Sequence, residues 1–139
     1  MKEAGLGGPS RSTEDGRALK GKRGWRRVVN ATRYSIDGLL AAWRYENAFR
    51  QELVLTAVLL PVALVLPLPG AEKVLLLGSL FLVLIVELLN TAIEAAVDRD
   101  SVEINPLGKQ AKDYASAAVM IALCLAGITW VTILGSHYL

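Results

Sequence analysis

The chain has 139 residues, 53% of them hydrophobic, with a mean hydropathy of +0.41. This is too apolar for disorder and high for a soluble domain, and points to a membrane protein. Lys and Arg number 15 against 13 Asp and Glu, but eleven of the fifteen basic residues precede Gln51, and by the positive-inside rule the N-terminus stays cytoplasmic.

Residues 1–23 are rich in Gly, Ser and charge and predict a disordered cytoplasmic tail without a cleaved leader. Gly16 to Lys22 fits GxxxxGK, but Arg23 stands where a phosphate loop needs Ser or Thr, and no strand precedes it, so this is a decoy. From Trp25 the pattern turns helical. Trp25, Val28, Val29, Thr32, Ile36, Leu39, Leu40 and Trp43 share one face, while Arg26, Arg27, Asn30, Arg33, Asp37 and Arg44 take others. An amphipathic helix over about 25–47, basic on its polar side, suits the headgroup region of an anionic leaflet.

Three apolar runs follow, predicting spans at about 49–68, 73–98 and 106–135, and so a membrane domain over 24–139. Pro61 inside the first should kink it, and Pro67 and Pro69 end it. Three spans place the C-terminus outside. Asn105-Pro106 reads as an N-cap and first-turn proline opening the third span. Lys109 and Lys112 then fall in its first two turns, where the helix dipole disfavours cations and an anion nearby is expected. The single cysteine, Cys124, reads as a small buried hydrophobe, and His137 as an exposed bystander in the C-terminal tail.

The second span carries the prime candidate for the chemistry. At about 100° per residue, Glu87, Asn90, Glu94 and Asp98 fall within roughly 80° of one helix face. A charge near mid-bilayer costs at least roughly 2.5 kcal/mol, so such a stripe must face protein, water, a cation or another carboxylate. Glu46 and Glu52 at the entrance to the first span, and Lys112, Asp113 and Ser116 on the third, gather at the same cytoplasmic level. Hard oxygens in this arrangement suit Mg²⁺ bridged to phosphates, with a lysine offsetting phosphoryl charge. A polar helix–helix contact and an ion-coupled transporter subunit are the rival readings.

The run Glu87-Leu88-Leu89-Asn90-Thr91-Ala92-Ile93-Glu94-Ala95-Ala96-Val97-Asp98 resembles the signature of the small prokaryotic diacylglycerol kinases. Ala111-Lys112-Asp113 with Ser116-Ala117-Ala118-Val119 is similar to their third-helix block, and Trp43, Glu46 and Ala48-Phe49-Arg50-Gln51-Glu52 to the segment before their first span. The resemblance implies an all-α membrane protein of three transmembrane helices plus an N-terminal amphipathic surface helix, assembled as a homotrimeric bundle with shared active sites in the bacterial inner membrane. It implies transfer of the γ-phosphoryl of MgATP to diacylglycerol, with no nucleic-acid partner. Undecaprenol, the acceptor of Gram-positive relatives, is the alternative substrate.

By matching position, Glu87 resembles the general base, and Glu46 and Glu94 the Mg²⁺ ligands. Asn90 would orient these groups, Lys112 contact phosphate and Asp113 the nucleotide. Arg27, Tyr34, Glu103, Ile104 and Asn105 match further nucleotide positions, and Arg27, Ala31, Ser35, Arg50, Gln51, Glu52 and Ser116 lipid-substrate or supporting positions. Ile36 replaces the family's usual tryptophan, Thr32 an alanine and Asp37 a lysine, departures that bear on the lipid side of the site and not on phosphoryl transfer.

Overall fold

A computed structural model describes the backbone over residues 12–100 and 105–139, and side chains over 24–99 and 105–139. It is all-helical over those residues: α1 (Ser12–Tyr45), α2 (Asn47–Val65), α3 (Gly70–Asp100) and α4 (Pro106–Tyr138). The last three are long and apolar enough to cross a membrane. The chain separates into two compact units, Met1–Leu40 and Ala41–Leu139.

The described side chains of the first unit lie on α1, with Trp25, Val28, Val29, Ile36, Leu39 and Leu40 all exposed along the apolar face the sequence predicts. The helix begins at Ser12 and not near Trp25, which corrects the expected tail. Residues 12–23 are helical, and residues 1–11 lie outside the described residues. Glu14 and Asp15 fall in the first turn, where the dipole favours acids, and Arg17, Ala18, Leu19, Lys20 and Lys22 are good helix formers that outweigh Gly16 and Gly21.

In the second unit a one-residue break at Glu46, whose backbone is extended (φ −109, ψ 113), separates the last turn of α1 from α2. The Glu46 N–H still donates to the Ala42 carbonyl at 2.9 Å, and the Glu46 carbonyl accepts from Arg50 N–H at 3.2 Å. Buried Ala42, Phe49 and Leu84, with Leu53 and Leu88 against them, clamp this junction onto α3. Helix α2 contains Pro61, and its Leu66 N–H closes on Val62 O at 3.1 Å. At that end Lys73 Nζ donates to the Leu64 carbonyl at 2.7 Å, satisfying an acceptor the helix leaves without an intrahelical partner.

The tightest packing is α3 on α4. Buried Ala115, Ala122, Ala126 and Ile133 recur at spacings of seven, four and seven on α4, so one narrow stripe faces α3. Small residues there let two apolar helices approach closely, which is how helices associate where lipid removes the hydrophobic driving force. Ala122 and Ala126 meet Val83, with Val86 beside them, while Ile133 shares a cluster with Ala63, Leu68 and Leu76 at the far end. The pair is therefore antiparallel. Cys124, expected to be buried, is exposed, because it sits about 200° around α4 from Ala122 and Ala126. His137 is more than a bystander: its Nε2 lies 2.7 Å from Glu72 Oε2, tying the end of α4 to the start of α3.

At the opposite end Asn105 caps α4, its Oδ1 accepting from Leu107 N–H at 3.0 Å, with Pro106 in the first turn as the sequence predicts. Gly108 follows in that turn, and a Cβ placed there would meet Val97 Cγ1 at 2.8 Å. Overpacking costs about 1–3 kcal/mol, against at most about 1 kcal/mol gained from Gly to Ala in a helix. Gly108→Ala should therefore lower the melting temperature in detergent, and Val97→Ala in the same chain should restore most of the loss. An unchanged melting temperature for Gly108→Ala would show that the contact is slack.

Candidate functional site at the α2, α3 and α4 ends

Helix α3 arranges its polar stripe as a gradient of burial. Glu87 is 4% exposed, Asn90 and Glu94 are half-buried, and Asp98 is exposed. Over eleven residues, about 16 Å, one helix face thus passes from the packed interior to solvent. Asn90 Nδ2 donates to Glu94 Oε1 at 3.3 Å, a spacing of four that puts the two side chains one above the other. The buried Asn90 Oδ1 has no hydrogen-bond partner within the protein.

Helix α2 and its entrance supply two more carboxylates. The Phe49 anchor sets Glu46, half-buried at the N-cap position, beside α3, and the charges of both Glu94 and Glu46 act on Glu87. Glu87 in turn acts on Glu52, whose Oε2 is buried without a partner. Four carboxylates from two elements therefore share one electrostatic neighbourhood. Like charges held together in a low-dielectric setting are costly unless a cation or proton offsets them.

Carboxylate oxygens are the ligand type that a hard divalent cation takes. Glu46 and Glu94 offer carboxylate oxygens, and among the described residues no group of three or more His, Cys, Asp or Glu gathers closely enough to hold a metal unaided. A cation bound by one or two carboxylates and completed by water and phosphate is the way Mg²⁺ is usually held.

Helix α4 brings the positive charge. Lys112 Nζ lies 2.5 Å from Asp98 Oδ1, and Lys109 Nζ lies 2.7 Å from Asp113 Oδ2. The anions that the first two turns of α4 call for are thus present as carboxylates of the chain itself. The Lys109–Asp113 pair is largely solvent-exposed and the Lys112–Asp98 pair partly so, and exposed pairs contribute at most about 1 kcal/mol to stability.

The predicted residues divide into groups. Glu46, Glu52, Glu87, Asn90 and Glu94 come together, with Lys112 tied to the same stripe through Asp98. Asp113 is exposed and paired with Lys109, Ser116 is exposed, and Asn105 spends its side chain on the helix cap. Arg50 contacts Asn47 Oδ1, one turn earlier on α2, and lines a shallow apolar groove with Trp43, Gln51 and Val54. Arg27, Ala31, Tyr34 and Ser35 are exposed on α1, where Ser35 Oγ donates to Ala31 O at 2.9 Å. Glu103 and Ile104 lie outside the described residues. The sequence pattern places Asp98 on the stripe but does not give its partner, Lys112. The available signal was its position one turn beyond Glu94 on the same face.

Comparison with known proteins bears on the same residues. A family model for prokaryotic diacylglycerol kinase matches residues 33–134, a stretch that contains every site residue on α2, α3 and α4. The diacylglycerol kinase of Pseudomonas aeruginosa is 53% identical over 116 residues, covering 84% of this chain and 94% of that protein. That of Escherichia coli K12 is 48% identical over 115 residues, covering 83% and 94%. That of Helicobacter pylori 26695 is 42% identical over 117 residues, covering 84% and 91%.

The burial gradient has a direct chemical readout. A water-soluble carbodiimide with an amine label should modify Asp98 first, Glu94 more slowly and Glu87 last, as followed by peptide mass spectrometry. Equal labelling of Glu87 and Asp98 in the folded protein would contradict the gradient.

Proposed function

The chain belongs to the prokaryotic diacylglycerol kinase family, and from that premise we propose how its own residues carry the reaction, transfer of the γ-phosphoryl group of ATP to the free hydroxyl of diacylglycerol to give phosphatidic acid. The observation that supports this reading best is the α3 stripe, buried at Glu87 and open at Asp98, with Glu46 beside it and Lys112 tied to its exposed end. A lipid hydroxyl and a water-borne nucleotide can meet only at the membrane surface, and a face that runs from interior to solvent offers each reactant its own end.

Glu87 is the general base. It takes the proton of the lipid hydroxyl as that oxygen attacks the γ-phosphorus, while the bond from phosphorus to the β–γ bridging oxygen breaks and ADP leaves. Its burial excludes bulk water, which would otherwise compete as acceptor. Glu46 and Glu94 would hold Mg²⁺, which when bound would offset charge on the nucleotide phosphates. Asn90 orients Glu94 through their hydrogen bond. Lys112 contacts phosphate, and Asp113, on the exposed first turns of α4, contacts the nucleotide. In a loose phosphoryl-transfer transition state these positioning and charge-neutralising contacts supply most of the catalysis.

The concentration of basic residues before Gln51 supports a cytoplasmic N-terminus, which places the exposed end of the stripe on the side where ATP is found. Most of each span's surface is exposed within a single chain, leaving room for the subunit contacts of a homotrimer.

Loss of the base should slow the chemical step far more than binding. In mixed micelles with MgATP and diacylglycerol, Glu87→Gln should lower kcat by about 100-fold or more with a nearly unchanged KM for MgATP. Glu94→Gln and Glu46→Gln should instead raise the Mg²⁺ and ATP concentrations needed for half-maximal rate. Near-wild-type kcat in Glu87→Gln, or unaltered Mg²⁺ dependence in both other variants, would refute the respective assignment.

A further inference from the structure

We infer that Asp98 is a positioning residue for the reaction, holding the Lys112 ammonium where it meets the nucleotide phosphates; this rests on the reading of Lys112 as the phosphate contact. The geometry begins at Gly108, whose missing side chain lets the first turn of α4 come against Val97 of α3. The helices are antiparallel, so four residues further along α4 Lys112 is level with the turn of α3 that bears Glu94. Side chains on a helix lean toward its N-terminus. Lys112 therefore leans back toward the open end of the stripe and Asp98 leans inward, and the two meet at 2.5 Å.

The contact has features of positioning more than of support. It joins residues fourteen apart on two helices, unlike the neighbouring Lys109–Asp113 pair, which closes within one helix at a spacing of four. Asp98 is the more exposed partner, at 66% against 36% for Lys112, so little stability is at stake. A lysine ammonium has three donors on a flexible four-carbon stem. One donor spent on Asp98 fixes the stem and leaves two for phosphate oxygens, about one helical turn from the Glu94 carboxylate that the proposed Mg²⁺ would share. Lys109 occupies Asp113, so that acid does not draw Lys112 away.

Steady-state kinetics of the full chain in mixed micelles test this, with MgATP and diacylglycerol varied separately. Asp98→Asn should raise the KM for MgATP by about fivefold or more, with a smaller change in kcat and none in the KM for diacylglycerol. Asp98→Glu should recover most of the loss, and Asp98→Asn should add little in a Lys112→Met background. The melting temperature of Asp98→Asn should stay close to that of the parent. A KM for MgATP that is unchanged would overturn the inference. A lower one would do so too, by making Asp98 a competitor of phosphate. Equal rises in both KM values with a fall in melting temperature would show a merely structural contact, again overturning it. A Lys112→Met chain with parental kinetics would instead remove the assignment of Lys112 itself, a failure of the underlying reading.

Discussion

A carboxylate placed inside a membrane-grade helix must be answered by something other than lipid, and in this chain four polar side chains on one face of α3 impose that demand together. Glu87, Asn90, Glu94 and Asp98 interrupt a helix that is otherwise apolar enough to span the bilayer. The packing around α3 meets this demand in stages. The α1–α2 junction, clamped by Phe49 against Leu84 and Leu88, covers the deep end. The small-residue face of α4 covers the opposite flank and carries Lys112 to the exposed end. The remaining negative charge is what a cation and a phosphorylated nucleotide would meet.

The same arrangement explains why so small a membrane protein can run phosphoryl transfer without a phosphate loop. The chemistry needs a proton acceptor sheltered from water, oxygens for a hard cation and a positive charge beside the phosphates. On the proposed reading each is supplied by a side chain on a packed helix or, for Glu46, at the start of one. The helices meet closely at Ala122 and Ala126 against Val83 and at Gly108 against Val97. At the far end His137 with Glu72 and Lys73 with the Leu64 carbonyl close the bundle away from the chemistry.

Much of this was legible in the sequence because its strongest signals are local. Apolar runs of span length, the Asn105-Pro106 helix start and the 80° stripe are all periodicity or capping rules, and the structure has three long apolar helices with Asn105 capping the last. What was not legible depends on which faces meet. Asp98 reaches Lys112 only because α3 and α4 are antiparallel and Gly108 permits close approach, and neither fact is contained in the stripe alone. Cys124 looks like core by residue type but sits opposite the alanine stripe. His137 looks isolated because its partner, Glu72, is 65 residues away in the chain. The early start of α1 was hidden by glycines that lower helix propensity without abolishing it.

On the proposed reading the nucleotide's metal would bind at the Glu46 and Glu94 end of α3. Paramagnetic broadening by Mn²⁺ with a non-hydrolysable ATP analogue tests this directly in protein carrying ¹³C-labelled glutamate carboxyls. Glu72 is an internal control, fifteen residues from Glu87 on the same helix and so about 22 Å away. Loss of the Glu46, Glu87 and Glu94 signals with Glu72 intact is the expected result. Broadening of Glu72, or sharp signals at all three stripe-side carboxyls when nucleotide is bound, would contradict the account.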